Sequence, residues 1–154
     1  MPTDVDLLKL ENQLCFALVT AARNVVAVYR PVLEPLGLTH PQYLVMLALW
    51  ESSPRALGAL ADELAMEPAT LSPLLKRLEA QGLVTRARRA GDERVLDVGL
   101  TEDGRALRRK ALRVPEQIVA QTGMDVAQLA ALRDALAPFA GGRVGHVRRH
   151  ATKS

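Results

Sequence analysis

The sequence has few of the residues that build disulfide frameworks, metal sites and aromatic cores. Cys15 is the single cysteine among 154 residues, which excludes an intrachain disulfide and any metal site built from several cysteines. Only 3% of the residues are aromatic, so leucine, valine and alanine must fill the core, as suits packed helices. The three histidines lack the spacing of metal ligands, and we predict neither a metal site nor a cofactor.

Long apolar runs are also missing from the sequence. No uncharged apolar stretch reaches the roughly 18 residues that a membrane-spanning helix needs. The N-terminus, Met-Pro-Thr-Asp, has no basic signal region. The content of 49% hydrophobic and 24% charged residues is that of an ordinary globular domain. We therefore expect a cytoplasmic protein that does not enter the membrane.

The positive charge is concentrated in the middle of the chain. The formal net charge is +3. Residues 76–113 hold eleven basic and six acidic residues, whereas residues 1–75 hold four basic and eight acidic ones. A basic segment in a small protein favours a polyanion such as DNA or RNA as its partner.

A long apolar helix is predicted over residues 5–32. No residue between Glu11 and Arg23 is charged, and apolar side chains cover most of the circumference of such a helix. A helix of this kind must be buried on most faces, and a chain of this length has little core to bury it. We therefore predict a homodimer with this helix in its interface.

The next segment has the pattern of a helix-turn-helix followed by a β-hairpin. Thr39 and Gln42 have capping-box spacing and predict the start of a second helix. Leucines at helical spacing then predict two short helices, the later of which ends at Gly82. Beyond Gly82 the apolar residues alternate, with a turn over residues 90–93. Together these elements predict a winged helix over residues 39–100.

The outward face of the fourth helix and the hairpin carry residue types that bind DNA. Hydroxyl groups bond bases or phosphates, and lysine or arginine reaches guanine edges or the backbone from the major groove. An arginine at the hairpin tip, oriented by a nearby aspartate, can enter the minor groove. The candidate DNA-binding residues are Thr70, Ser72, Lys76, Arg77, Arg86, Arg88, Asp92 and Arg94.

Plainer structural roles remain open for the same residues. Lys76 and Arg77 can belong to a solvated helix face, and Asp92 with Arg94 can close the turn as an exposed ion pair.

Proline is awkward inside a helix, so Pro73 predicts that the fourth helix begins late enough to keep this residue in its first turn, or bends there.

Two closing helices are predicted after the hairpin. Thr101 caps the first, which Pro115 kinks and which ends near Gly123. Asp125 and Gln128 have the spacing that begins the second. The predicted fold class is therefore mainly α with a small β-hairpin wing. We expect one winged-helix domain over residues 1–140, with dimerisation helices at 5–32 and 101–140 and a flexible basic tail at 141–154.

These motifs together resemble the MarR family of bacterial transcription regulators over about residues 5–140. Four strings are similar to its organic-hydroperoxide-resistance branch: LENQLCF at 10–16, PQYL at 41–44, LLKRLE at 74–79 and DER at 92–94. The resemblance implies a dimeric winged-helix repressor, not an enzyme, that binds a pseudo-palindromic operator in double-stranded DNA.

The resemblance also implies a redox role for Cys15. In this family a cysteine at its position is oxidised by an organic hydroperoxide to the sulfenic acid and is then capped by a small thiol as a mixed disulfide. With no second cysteine, the chain resembles the one-cysteine type. Tyr29 matches a tyrosine that hydrogen-bonds the sensor sulfur from the partner subunit. Val19 and His40 stand where the family has two further tyrosines, and the imidazole of His40 can still donate.

Three other functions remain open from the sequence. A small aromatic acid in the dimer crevice could relieve repression and leave Cys15 as an inert small hydrophobe. Cys15 could instead turn over peroxide as a thiol-dependent peroxidase, with Arg23 or Arg30 as its nearby cation. The third possibility is a structural DNA-binding protein whose binding is independent of sequence and depends only on salt.

Overall fold

The computed structural model describes residues 6–140 and is mainly helical, which confirms the predicted fold class. Two single-turn 3-10 helices, at Leu10–Asn12 and Glu34–Leu36, accompany seven α-helices and one three-stranded sheet in this part of the chain. The predicted tail at 141–154 lies outside the described residues. In chain order the elements are α1 (Leu14–Leu33), α2 (His40–Glu51), β1 (Arg55–Ala56), α3 (Leu57–Glu63), α4 (Pro68–Ala80), β2 (Val84–Arg89), β3 (Asp92–Leu100), α5 (Glu102–Ala111), α6 (Val114–Thr122) and α7 (Val126–Leu136).

The first helix begins later than predicted, at Leu14 rather than residue 5. The side chains of Asn12 and Gln13 donate hydrogen bonds of 2.7 and 2.6 Å to the backbone carbonyls of Asp6 and Leu7. Such side-chain bonds give the backbone an alternative to helical hydrogen bonding. The segment before Leu14 therefore forms turns and one 3-10 turn.

The second helix begins at the predicted capping box. The backbone N–H of Gln42 donates to Thr39 Oγ1 at 3.4 Å, and the backbone N–H of Thr39 donates to Gln42 Oε1 at 2.9 Å. These reciprocal bonds satisfy two amide groups that a helix start leaves unpaired. The helix ends at Glu51, where the serines and proline of the following loop stop it.

The helix-turn-helix consists of α3 and α4. Its turn includes Ala65, which has a left-handed φ of 53°. Because α4 begins at Pro68, Pro73 lies in the second turn of the helix, and the expectation that it lies in the first turn is wrong. Proline has no N–H, so the carbonyl of Ala69 has no helical hydrogen-bond donor four residues later.

The wing is an antiparallel hairpin of β2 and β3. Its register runs from Val84 opposite Leu100 to Arg88 opposite Leu96, and it then shifts so that Arg89 lies opposite Asp92. The connecting turn is therefore two residues long rather than the predicted four. Strand β1 pairs with the other edge of β3, and the sequence did not predict it.

The main core lies between the helix-turn-helix, α2 and the root of the wing. Its members are apolar and small to medium in size, as the low aromatic content predicts. The largest fully buried side chains are Leu33, Met46, Leu49, Leu60, Leu71, Leu75, Leu78, Val45, Val84, Val98 and Val114.

The predicted kinked helix is two helices, α5 and α6. The break comes before Pro115, because proline takes an early position in α6 where its missing N–H costs nothing. Gly123 ends α6 with a left-handed φ of 68°. The predicted capping box of Asp125 and Gln128 then begins α7.

The outer helices leave apolar side chains uncovered in the single chain. On α1, Leu14 is 57% exposed, Phe16 47% and Val25 45%. On and just after α7, Leu132 and Phe139 are each 51% exposed. By length and composition alone the segment Leu14–Leu36 is also apolar enough to cross a membrane, which is weak evidence because core helices of soluble proteins pass the same test.

Candidate nucleic-acid interface and redox site

The fourth helix has one buried face and one exposed face. Leu71, Leu75 and Leu78 point into the core. The predicted DNA-binding side chains point outward: Thr70, Lys76 and Arg77 are exposed, and Ser72 is half-buried. Lys76 and Arg77 form no salt bridge with any residue in the range 6–140, so both cations are free to meet a polyanion.

Two arginines of the wing are occupied by carboxylates of the same chain. Arg86 Nη2 donates to Glu79 Oε1 at 3.0 Å, which ties the strand to the end of α4. This hydrogen bond holds the pKa of Glu79 below its usual value. Arg89 Nη2 donates to Asp97 Oδ1 at 2.7 Å across the hairpin and lowers the pKa of that carboxyl in the same way. Arg88 is exposed and, by contrast, forms no salt bridge with any of residues 6–140.

The wing tip presents one oriented arginine. Asp92 Oδ1 accepts hydrogen bonds from the backbone N–H and the Nε of Arg94, each at 3.2 Å. The Arg94 side chain is 93% exposed, so the aspartate orients the guanidinium without covering it. This is the arrangement that the sequence predicted for Asp92 and Arg94.

The root of the wing is fixed to α5 by a close backbone approach. Thr101 Oγ1 caps α5 and donates to the carbonyl of Gly82 at 2.6 Å. Trp50 Nε1 donates to the carbonyl of Gly104 at 2.8 Å. A β-carbon at Gly104 would overlap the carbonyl of Leu83, so only glycine fits there.

The structure does not bring Cys15 together with Tyr29 within one chain. Both residues lie on α1, and at 1.5 Å per residue their positions are about 21 Å apart along the helix axis. Cys15 is an exposed free cysteine near the start of α1. Any contact of its sulfur with Tyr29 or His40 therefore requires a second copy of the chain.

Tyr29 lies in an aromatic cluster at the other end of α1. Its ring centroid is 4.8 Å from that of His40 in an edge-to-face contact and 6.0 Å from that of Tyr43. Burial raises the pKa of both phenols, and burial lowers the pKa of His40. At neutral pH the cluster is therefore uncharged and retains hydrogen-bond donors.

The part of the chain that the structure describes contains no cluster of side chains that could hold a metal ion. No group of three or more histidine, cysteine, aspartate or glutamate side chains is placed there to hold an ion.

The helix-turn-helix, its exposed basic face and the arginine-tipped wing define a DNA-binding transcription regulator of the winged-helix class. A family model described as "Transcriptional regulator SarA/Rot" matches residues 27–110. The organic hydroperoxide resistance transcriptional regulator of Bacillus subtilis (strain 168) is 43% identical over 132 residues, which are 84% of this chain and 90% of that protein.

Solved structures give the same assignment. The structure described as overoxidized AbfR bound to DNA has a TM-score of 0.69 and 33% identity, and covers 84% of this chain and 92% of that one. The repressor CouR bound to a 23-mer DNA duplex has a TM-score of 0.77 and 26% identity, and covers 89% and 99%. The chain belongs to the MarR family of winged-helix transcription regulators, in its organic-hydroperoxide-resistance branch.

Proposed function

We propose that this protein is a cytoplasmic DNA-binding repressor that senses organic hydroperoxides through Cys15 and releases its operator when Cys15 is oxidised. One observation carries the proposal. The single cysteine lies exposed on an uncovered apolar helix, in a chain 43% identical to a regulator named for organic hydroperoxide resistance. As a regulator it need not turn over its peroxide, and we do not assign it an enzymatic activity.

The exposed apolar face of α1 and α7 is the proposed homodimer interface. Large apolar side chains exposed in this way mark an interaction site, and a second copy covers them with the same residues by two-fold symmetry. The dimer presents two copies of α4. Dimeric helix-turn-helix proteins need half-sites about one DNA turn apart, so a pseudo-palindromic operator in double-stranded DNA follows.

The DNA contacts divide between two grooves. Thr70, Ser72, Lys76 and Arg77 on α4 suit the major groove, and Arg94 at the wing tip suits the minor groove. Arg88 is the wing arginine left free for a phosphate. Arg86 is held by Glu79, so its part is to position the wing, with contact to DNA only if that ion pair opens.

The sensing reaction uses an external thiol, since the chain has no second cysteine. The Cys15 thiolate attacks one peroxide oxygen, the O–O bond breaks, and the leaving alkoxide takes a proton to become an alcohol. Cys15 becomes the sulfenic acid. A small thiol then condenses with it, which forms a mixed disulfide and releases water.

Tyr29 and His40 are proposed to support the sulfur from the partner subunit. Thiolate needs hydrogen-bond donors or positive charge nearby, and the uncharged phenol and imidazole of this cluster can donate. Val19, one turn after Cys15, offers no donor. A bulky polar adduct in a close-packed apolar interface must displace its neighbours, and that displacement changes the spacing of the two recognition helices.

The proposal is tested by DNA binding with and without peroxide. On the protein's own upstream DNA, wild type treated with cumene hydroperoxide and a small thiol should lose the band shift, whereas Cys15→Ser should keep it. Equal release of Cys15→Ser would contradict the sensor role. Because Tyr29, Tyr43 and Arg133 line an apolar cleft, salicylate is the comparison ligand, and release by salicylate alone would favour a small-ligand regulator.

A further inference from the structure

Two glutamines join the recognition helix to the start of α2. Gln42 is only 4% exposed, and its Nε2 donates to Oε1 of Gln81 at 3.4 Å. The Nε2 of Gln81 then donates to the carbonyl of Gly37 at 2.8 Å. Gln81 is the C-cap residue of α4, whereas Gly37 precedes α2 and Gln42 lies in its first turn. The two glutamines, which are 39 residues apart in the chain, therefore link α2 to α4.

The orientation of both amide groups is determined by their partners. The Oε1 of Gln42 is already used by the backbone N–H of Thr39, so only its NH2 group faces Gln81. The carbonyl of Gln81 faces Gln42, and its NH2 group faces Gly37. Neither amide can turn over without losing hydrogen bonds, and for the buried amide of Gln42 an unpaired polar group is costly. A shift of the first turn of α2 relative to α4 must therefore break this link or move the end of α4.

The α2 end of the link lies beside the proposed sensor-supporting residues. His40 is the first residue of α2, and its ring contacts Tyr29 of α1 at a centroid distance of 4.8 Å. A displacement of this ring pair acts on the same helical turn that holds Gln42. At the other end, Gln81 comes about one helical turn after Lys76 and Arg77, which face outward from α4.

We propose that Gln81 is a positioning residue that transmits the oxidation state of Cys15 to the recognition helix. This rests on the proposed function, because the partner's Cys15 adduct is what displaces Tyr29 and His40. The displaced turn of α2 pulls on Gln42 and Gly37, and the two hydrogen bonds of Gln81 carry the movement to the C-terminal end of α4. The angle of α4 in the major groove changes as a result.

The test compares operator dissociation constants of the reduced and the peroxide-treated protein. The ratio of the two constants measures the response to oxidation. In Gln81→Ala, which loses both hydrogen bonds, the ratio should fall by about five- to 30-fold, the loss expected for one to two net hydrogen bonds of about 1 kcal/mol each. Cys15 should be oxidised at the wild-type rate, as measured by mass spectrometry. The matched control Gln121→Ala, an exposed glutamine on α6, should keep the wild-type ratio.

Two further variants separate the two hydrogen bonds. Gln42→Glu keeps the acceptor for Thr39, and so keeps the helix cap, but it has no donor for Gln81. Gln81→Glu keeps an acceptor for Gln42 and loses the donor to Gly37. Both should lower the ratio, and Gln81→Ala should lower it at least as far.

The outcomes distinguish the link from the redox function itself. If Gln81 is purely structural, Gln81→Ala would raise both dissociation constants by the same factor and leave their ratio at the wild-type value. That result would overturn the proposal while the sensor role stands. A wild-type ratio of one would instead overturn the redox function, and the link would fall with it.

Discussion

The winged helix and the outer helices differ in how they bury their apolar surface. Leu71, Leu75 and Leu78 of α4 are all 0% exposed, whereas α1 leaves Leu14 at 57% and Phe16 at 47%. Burial of apolar surface stabilises by about 25 cal/mol per Å², so the first region gains this energy from its own chain, whereas the exposed side chains of the second can gain it only from a partner. The DNA-binding region and the proposed dimer interface are therefore stabilised by different contacts.

The largest expected effect comes from placing a charge on the outer helices. Phe16→Asp should prevent self-association, because an unpaired carboxylate in an apolar interface is strongly unfavourable. Light scattering at micromolar concentration should give the mass of one chain, and operator affinity should fall by about 100-fold or more because one recognition helix binds alone.

A matched charge in the winged helix should leave assembly intact. Ala59→Asp adds the same carboxylate to an exposed position of α3 and should keep the wild-type mass. If Phe16→Asp also keeps the mass of the wild type, the uncovered face of α1 is not the interface, and the contrast between the two regions fails.

A smaller effect is expected at the wing tip. Arg94→Ala should weaken operator binding by about ten- to 100-fold with little change in melting temperature, because the exposed pair of Asp92 and Arg94 contributes little stability. Binding isotherms at several salt concentrations and a thermal melt check both parts. Arg109→Ala removes an exposed cation from α5 and serves as the control. Unchanged affinity in Arg94→Ala would leave that pair as a turn closure only.

The smallest effect is a pH dependence from His40. Burial lowers its pKa below the ordinary 6.5, so the unfolded chain takes up the proton first as the pH falls. The free energy of unfolding should therefore be constant above about pH 7 and decrease as the pH falls through 6.5. Urea titrations at about pH 7.5 and pH 5.5 measure the decrease, and His40→Gln should remove part of it. An identical slope in His40→Gln would show that other groups cause it.

The sequence predicted the parts of the fold whose interactions are local. The capping boxes at Thr39 and Asp125 each span three residues, and both were found. Strand β1 was not, because two residues carry no periodicity and their pairing partner Val98 is distant in the chain. The start of α1 was misplaced because side-chain bonds of Asn12 and Gln13 override an apolar pattern.

In the candidate site, too, the sequence predicts contacts between near neighbours in the chain and misses contacts between distant elements. Asp92 and Arg94 are two residues apart, so their hydrogen bonds could be anticipated from the sequence. Arg86 was predicted as a DNA contact because nothing in the sequence shows that Glu79, on another element, accepts its hydrogen bonds. Gln81 was not singled out at all, since its proposed role depends on tertiary contacts with residues about forty positions away.

Gly104 limits which residues this regulator can carry at the start of α5. Because a single hydrogen atom separates α5 from the carbonyl of Leu83, any larger residue would push α5 away from the root of the wing. We therefore expect operator binding to be sensitive to this position, and a codon-randomised library selected for operator binding should return glycine there.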